Sequence, residues 1–265
     1  MNATTKATVA EFALHLADNA LILGQRNAEW CGHGPILEED LALANNALDL
    51  IGQARLLYQH VAELRNDGAD EDSLAYFRNE SAFLNCTLME LPHSTALTPT
   101  TRADRDYAVT IARNFLYSAW MVLVWDMLQS AQDPQMAAIA SKSLKEARYH
   151  FQHARDWLLR FGDGTAESHA RAQAAINHLM PYTQEFWSDS SMVEHGLASL
   201  GLPAMNSLKA PWDATVAQAI AEATLTLPPQ SDQVTRGKHG VHSEHMGFLL
   251  AEMQSLARQH PGASW

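Results

Sequence analysis

Apolar residues recur along the chain at the three- and four-residue spacing of a helix face, and no stretch alternates with period two for long enough to suggest a strand. The pattern predicts helix after helix, separated by short Gly/Pro punctuation. A first helix is expected from about Thr8 to Glu29, stopping at Trp30-Cys31-Gly32-His33-Gly34-Pro35. A second follows Pro35 and runs to about Arg65, with Glu38, Glu39 and Asp40 near the positive end of its dipole. A third is expected from the acidic cluster Asp70-Glu71-Asp72-Ser73 to just before Pro92, where a polar loop, Pro92 to Thr101, leads to a fourth at about Arg102 to Ser130. Asp133 ahead of Pro134 reads as a cap before a proline at the first helical position. The fifth helix then runs to Phe161 and is ended by Gly162 and Gly164. Three further helices are expected near Ala166–Ser188, Ala214–Leu225 and Ser243–Gln259.

Helices two to five read as two hairpins of long amphipathic helices, which pack as an antiparallel bundle. The expected class is therefore all-α: a ferritin-like four-helix bundle with additional N- and C-terminal helices. No internal repeat or low-complexity linker interrupts the chain, so residues 1–265 are expected to form a single domain.

Charge narrows the partners. Lys and Arg number 18 against 30 Asp and Glu, a formal net charge of -12. That balance argues against a nucleic-acid partner, which needs clustered cations to displace counterions, and against an anionic membrane surface. Charged residues make up only 18% of the chain, below the roughly 25% usual for soluble domains. So few charges fit either many buried helix faces or an uncharged surface kept for a partner. The longest apolar run, Ala119 to Trp125, is far short of the ~20 residues of a membrane span. Met1 to Ala10 has no charged segment followed by an apolar block, so no secretory signal is expected. The two cysteines, Cys31 and Cys86, provide neither a disulfide framework nor a CxxC metal motif, and the expectation is a cytoplasmic protein with reduced thiols.

A ferritin-like bundle binds two irons with one Glu from each of two helices and a Glu-x-x-His from each of the other two. The sequence offers part of that set. Glu80 falls in the stripe formed by Leu74, Phe77, Leu84, Leu88 and Leu91, but the position three residues on is Phe83. Glu146 is followed at the same spacing by Tyr149, with His150 next on the apolar arc. Asp49 lies in the second helix, and the fourth offers only Ser118 in its apolar middle. Two readings stay open: an atypical metal site, or a degenerate one whose inward polar groups bond one another. A second rich segment is Arg236-Gly237-Lys238-His239-Gly240-Val241-His242-Ser243-Glu244-His245. Its histidines lack the helical HExxH spacing. Arg236, Lys238 and His239, with the glycines, suit a phosphate or partner loop, or equally a structural cap on the last helix. Cys31 beside His33 lacks a third orienting group and reads as turn packing.

Several segments together carry a resemblance. Gln25-Arg26-x-x-Glu29-Trp30-Cys31-Gly32-His33, Leu37-Glu38-x-Asp40-Leu41-Ala42-Leu43-Ala44-Asn45, Leu48-Asp49-Leu50-x-Gly52-Gln53-Ala54-Arg55, Lys145-Glu146-Ala147-Arg148-Tyr149-His150 and His242-x-Glu244-His245 resemble the C-subunit family of bacterial phenylacetyl-CoA 1,2-epoxidases, over nearly the whole chain. These are multicomponent oxygenases that epoxidise the ring in phenylacetate catabolism. The resemblance implies a ferritin-like structural subunit that supports a catalytic A subunit, the latter carrying the di-iron centre. It implies no metal or cofactor in this chain, with flavin, an iron–sulfur cluster and NADPH belonging to a reductase subunit. Partners would be the A subunit and other epoxidase subunits, with a homodimer for the isolated chain. Asp49, Glu80, Phe83, Ser118, Glu146, Tyr149 and His150 would then be vestigial metal-site positions without catalytic residues among them, and Phe83 and Asn85 would face substrate. An independent di-iron oxidase with an atypical ligand set and a free-standing ferritin-like binding module are the alternatives.

Overall fold

The computed structural model describes residues 2–96 and 105–263. Helices follow in the order α1 (Ala3–Ala28), α2 (Leu37–Arg65), α3 (Glu71–Tyr76), α4 (Thr87–Glu90), α5 (Tyr107–Leu128), α6 (Pro134–Gly162), α7 (Ala166–Leu179), α8 (Gln184–Trp187), α9 (Ser191–Ser199), α10 (Lys209–Glu222) and α11 (Glu244–Gln259). Among the described residues there is no strand, only an isolated bridge between Arg236 and Val241. The expected all-α class is what the chain forms. Residues 97–101 of the expected polar loop and the expected helix start at Arg102 lie outside the described residues.

The chain makes two compact units, each assembled from separated segments. The first gathers residues up to Leu91, then Ser190–Leu200, then Thr235 onward; the second gathers Pro92–Asp189 and Gly201–Val234. The chain enters each of the two units more than once.

In the first unit α1 and α2 form a long hairpin. Asn2 caps α1 by accepting from Thr5 N at 2.8 Å, and α2 ends at Asn66, whose left-handed φ of 50° releases the chain from the helix. Gly24 lets the pair close tightly, since a Cβ there would stand 3.1 Å from Ile51 Cγ1 and 3.3 Å from the Ala47 carbonyl. α9 crosses α1 at Gly196, where the Phe12 side chain occupies the space a Cβ would need. α1 is apolar over most of its surface but also buries His15, Asp18, Asn19, Arg26 and Asn27. Buried polar groups on this scale need dedicated partners.

The second unit is built on the α5–α6 hairpin, with α7 and α10 packed on it. By length and composition α5 alone among the described helices could cross a membrane, but 89% of its most apolar window is buried in the protein core. Asp133 caps α6 through Gln135 N and Met136 N at 2.9 and 3.0 Å, with Pro134 at the first position, as expected. Trp120 stacks on Phe186 at 4.4 Å, Trp187 meets Trp212 edge-on at 5.6 Å, and the Trp212 indole donates to the Leu116 carbonyl. Gly162 allows the end of α6 to touch the chain after α10: a Cβ there would lie 1.8 Å from the Ala223 carbonyl oxygen.

Two expectations are corrected. The helix expected over Ala166–Ser188 is helical throughout to Trp187 but not one α-helix: after Leu179 it tightens into a 3₁₀ turn, Met180–Thr183, at Pro181, which lacks the N–H of the α-helical ladder, and continues as α8. The long third helix expected from Asp70 to Pro92 does not form. The chain runs α3, a 3₁₀ turn at Glu80–Ala82, an extended stretch at 83–86, then α4. The long-helix hairpins are therefore α1–α2 and α5–α6, not the second with the third and the fourth with the fifth.

Candidate functional site

The broken third helix has a physical cause. The backbone of residues 83–86 is bonded by side chains from other elements instead of by a helix ladder. Leu84 N donates to Asp18 Oδ2 at 2.8 Å, and Cys86 N donates to Asn19 Oδ1 at 2.9 Å. His15 Nδ1 donates to the Leu84 carbonyl at 2.6 Å, and His242 Nε2 to the Phe83 carbonyl at 2.9 Å. α1 and the segment before α11 thus hold this stretch extended between them.

Two buried carboxylates anchor the arrangement. Asp18 is fully buried and accepts from Tyr58 Oη at 2.6 Å, from Arg78 Nη1 at 3.0 Å and from Arg78 Nη2. The Arg78 guanidinium also lies over the Phe83 ring, 4.1 Å from its centroid. Burial and then the Asp18 charge hold the Tyr58 phenol well above its ordinary value. Glu90 is equally buried and accepts from His242 Nδ1 at 2.7 Å, Ser243 N at 2.5 Å and Asn85 Nδ2 at 2.9 Å. Its main-chain carbonyl takes Nε and Nη2 of Arg26, at 3.1 and 2.5 Å.

The Phe83 carbonyl can only accept, and so can the Glu90 carboxyl when it is ionised; beside an ionised Glu90 both ring nitrogens donate and the ring is an imidazolium. Burial opposes that charge most strongly. The Glu90 hydrogen bond and charge, the Phe83 carbonyl and Glu80 together outweigh it and raise the His242 pKa. His15 goes the other way. Its burial, opposed by the Leu84 carbonyl and assisted by Lys238 and His239, pushes it down to about 4.

The expected site residues are distributed as follows. Asp49 (half-buried on α2), Glu80 and Phe83 belong to the first unit; Ser118, Glu146, Tyr149 and His150 belong to the second. Glu80, expected to point inward, is exposed on its 3₁₀ turn. Because no helix joins it to Phe83, the three-residue spacing between them carries no ligand geometry. Tyr149, expected in an inward histidine position, is 55% exposed and stacks on His153. Ser118 turns back to donate to the Asn114 carbonyl at 2.6 Å. Glu146 is half-buried with Lys142 4.0 Å away, and His150 is buried.

Phe83 and Asn85, expected to face substrate, are both wholly enclosed, Phe83 under Arg78 and Asn85 against Glu90. Of the expected phosphate or partner loop, Arg236 and His239 are exposed or partly so, but Lys238 is buried toward His15. Gly237 packs that loop directly on Asn85 and Thr87, which favours its structural reading. An open hollow of about 740 Å³ lies elsewhere in the first unit, lined by Tyr76, Phe77, Met253, Leu256 and others, and none of the expected residues lines it.

The donor set does not fit a di-iron centre. Among the described residues no three His, Cys, Asp or Glu side chains gather as a metal would require. What sequence reasoning misses is the Glu90–His242 pair. Its signal is present in His242-x-Glu244-His245, but a sequence pattern that puts Glu90 on a long helix gives no reason to match the two.

An all-α, ferritin-like chain with two buried carboxylate anchors in its first unit is the class that these observations define. The chain belongs to the phenylacetic acid catabolic protein family, which it matches over residues 1–265. It is also 45% identical, over 96% of its length and 98% of the relative's, to the C subunit of the 1,2-phenylacetyl-CoA epoxidase of Escherichia coli strain K12.

Proposed function

We propose that this chain is a non-catalytic, structural subunit of a cytoplasmic phenylacetyl-CoA epoxidase acting in aerobic phenylacetate catabolism. It pairs with and supports a catalytic A subunit that holds the di-iron centre. Flavin, iron–sulfur cluster and NADPH belong to a reductase subunit, and this chain contributes no metal ligand and no catalytic residue.

The observation that carries the reading is the fate of the ligand positions. Glu80 and Tyr149 face solvent, and Phe83 is sealed beneath Arg78. A bundle that had kept oxygen chemistry would aim carboxylates and imidazoles at one point. The relative is by name one subunit of an epoxidase, which supports assembly with other chains. The low charged fraction of 18% supports the same, since interface cores are depleted of charge.

The test is affinity capture of the tagged chain from cells grown on phenylacetate, with iron measured in the chain after anaerobic loading. Capture of a di-iron subunit, with negligible iron in this chain alone, is the expected result. Near-stoichiometric iron and turnover by the isolated chain would overturn the reading.

A further inference from the structure

The apolar stripe of α11 outruns its cover. Met246, Leu249, Leu250, Met253, Leu256 and Ala257 recur at helical spacing and, at about 100° per residue, share an arc of roughly 120°. Met246, Leu249 and Leu250 are buried, Met253 and Ala257 only half-buried, and Leu256 is 55% exposed. The cover gives out because α3, which packs against the last turns, has six residues to the sixteen of α11. Beneath the overhang lies the open hollow of about 740 Å³, with Asp70, Asp72, Tyr76 and Phe77 on its α3 side and Met253, Leu256 and His260 on the other.

The two walls are pinned to one another. Gln254 Nε2 donates to the Ala75 and Arg78 carbonyls at 3.2 and 3.1 Å, and Arg258 donates to the Tyr76 and Arg78 carbonyls at 3.3 and 2.8 Å. These bonds fix the separation of α3 from α11, so the hollow is preformed, and its volume is in the range of small-molecule sites.

Its charge leans to one sign. Asp70 accepts from Ser73 N at 2.7 Å, and that bond holds its carboxyl below the ordinary range. Asp72 is exposed and pairs with no cation among the described residues. It lies close enough to Tyr76 that burial, and then the Asp72 charge, raise the phenol. The guanidiniums of this region are spent elsewhere: Arg258 on the carbonyls of α3 and its end, Arg78 on Asp18, and Arg55 on Glu71. No Lys or Arg among the described residues lines the hollow, and His260 is its one basic side chain. The last turn of α11 adds the negative end of a helix dipole. An anionic ligand would meet two carboxylates here and no guanidinium. A cation would meet the same carboxylates together with the aromatic surface of Tyr76 and Phe77, which also attracts an ammonium group. Phe77, Met253 and Leu256 leave room for an apolar body behind that charge.

We propose that the hollow between α3 and α11 is a binding site for an organic cation, a protonated amine carried on an extended apolar body. The inference does not rest on the function proposed above.

The experiment is titration of the full chain, labelled at its methionine methyl groups, with phenylbutylammonium, phenylbutyrate and phenylbutanol, which share one apolar body and differ in charge. The Met253 methyl resonance, assigned from Met253→Leu, reports occupancy of the hollow by nuclear magnetic resonance. The expected result is a saturable shift with the ammonium, with a dissociation constant of about 1 mM or below, at least fivefold weaker binding of the alcohol, and no saturation with the carboxylate. Asp72→Asn should weaken the ammonium about threefold and leave the alcohol unchanged, whereas Asp232→Asn, an exposed acid of the second unit, should alter neither. Leu256→Trp, which fills the hollow, should abolish the shift, with far-UV circular dichroism as the folding control; should it not fold, Asp72→Asn decides. An unmoved Met253 methyl in a large excess of the ammonium overturns the proposal, and so does a smaller preference over the alcohol or tighter binding of the carboxylate. Wild-type affinity in Asp72→Asn, or retained binding in a folded Leu256→Trp, overturns it as well.

Discussion

Glu90 and His242, separated by 152 residues in sequence, meet at 2.7 Å with both side chains wholly withdrawn from solvent. The pair joins α4 to the segment that begins α11, and Asn85 and Ser243 complete the shell of the carboxylate. Removing one partner of a buried ion pair leaves the other uncompensated, which costs about 3–5 kcal/mol.

Glu90→Gln keeps the shape and the acceptor for Ser243 N but withdraws the charge that protonates His242. The expected outcome is a loss of stability of about 3 kcal/mol in urea unfolding at neutral pH. The pH dependence also changes. With the His242 pKa raised in the folded state, its contribution is fully present below 6.5 and is lost as pH rises through the raised value. The wild type should therefore lose melting temperature on the alkaline side of that window, and Glu90→Gln should not. An unchanged alkaline slope would sink this account.

His15 sets the acid side with the opposite sign. The unfolded chain takes up its proton near 6.5, the folded one only near 4, so the unfolded state binds more protons between those values and stability falls as pH drops through them. The whole window is worth about 3 kcal/mol. His15→Gln can still donate to the Leu84 carbonyl but does not titrate. Its melting temperature should be flatter than that of the wild type from pH 6.5 down to 4, measured by calorimetry.

Arg78 serves Asp18, Tyr58, the Phe83 ring and the Ala82 carbonyl together. Arg78→Ala should cost about 3–5 kcal/mol, because a fully buried Asp18 carboxylate loses its cation. Arg78→Lys should recover only part of this, since an ammonium cannot fork to both Asp18 oxygens while lying flat on Phe83. Equal stability of the lysine variant and the wild type in chemical denaturation would contradict this.

Two helical glycines should respond oppositely to the same change. Gly162→Ala drives a methyl group into the Ala223 backbone and should destabilise the fold by about 3 kcal/mol or more. Gly52→Ala meets open space and should stabilise the isolated chain by about 0.5–1 kcal/mol through helix propensity. Denaturation of both variants at low protein concentration distinguishes the two.

The long helices are legible in the sequence because their signals are local. The cap at Asp133 with Pro134 fixes the start of α6, and the breaks around Pro35 and Gly162 bound α2 and α6 within a residue or two. The region from Asp70 to Pro92 is not legible, because its apolar spacing is helical while its structure is set from a distance. Asp18, Asn19, His15 and His242 take over the backbone groups of residues 83–86, and no local pattern records that. The candidate ligand set fails for the same reason, since Glu80 and Phe83 share a ligand spacing only on a helix that those side chains prevent. Pro181 is the local signal that an unbroken helix over Ala166–Ser188 overlooks, and α7 ends two residues before it.

The way the first unit is threaded has a consequence for the order of assembly during synthesis. Its opening hairpin leaves the ribosome first, and Asp18 can meet Arg78 and Tyr58 early. Glu90 must then wait while the whole second unit is made, because His242 and Ser243 arrive only after residue 235. During that interval the chain carries a carboxylate shaped for burial with no counter-charge, beside the unclosed stretch at 83–86. The first unit is thus begun before the second and completed only after it.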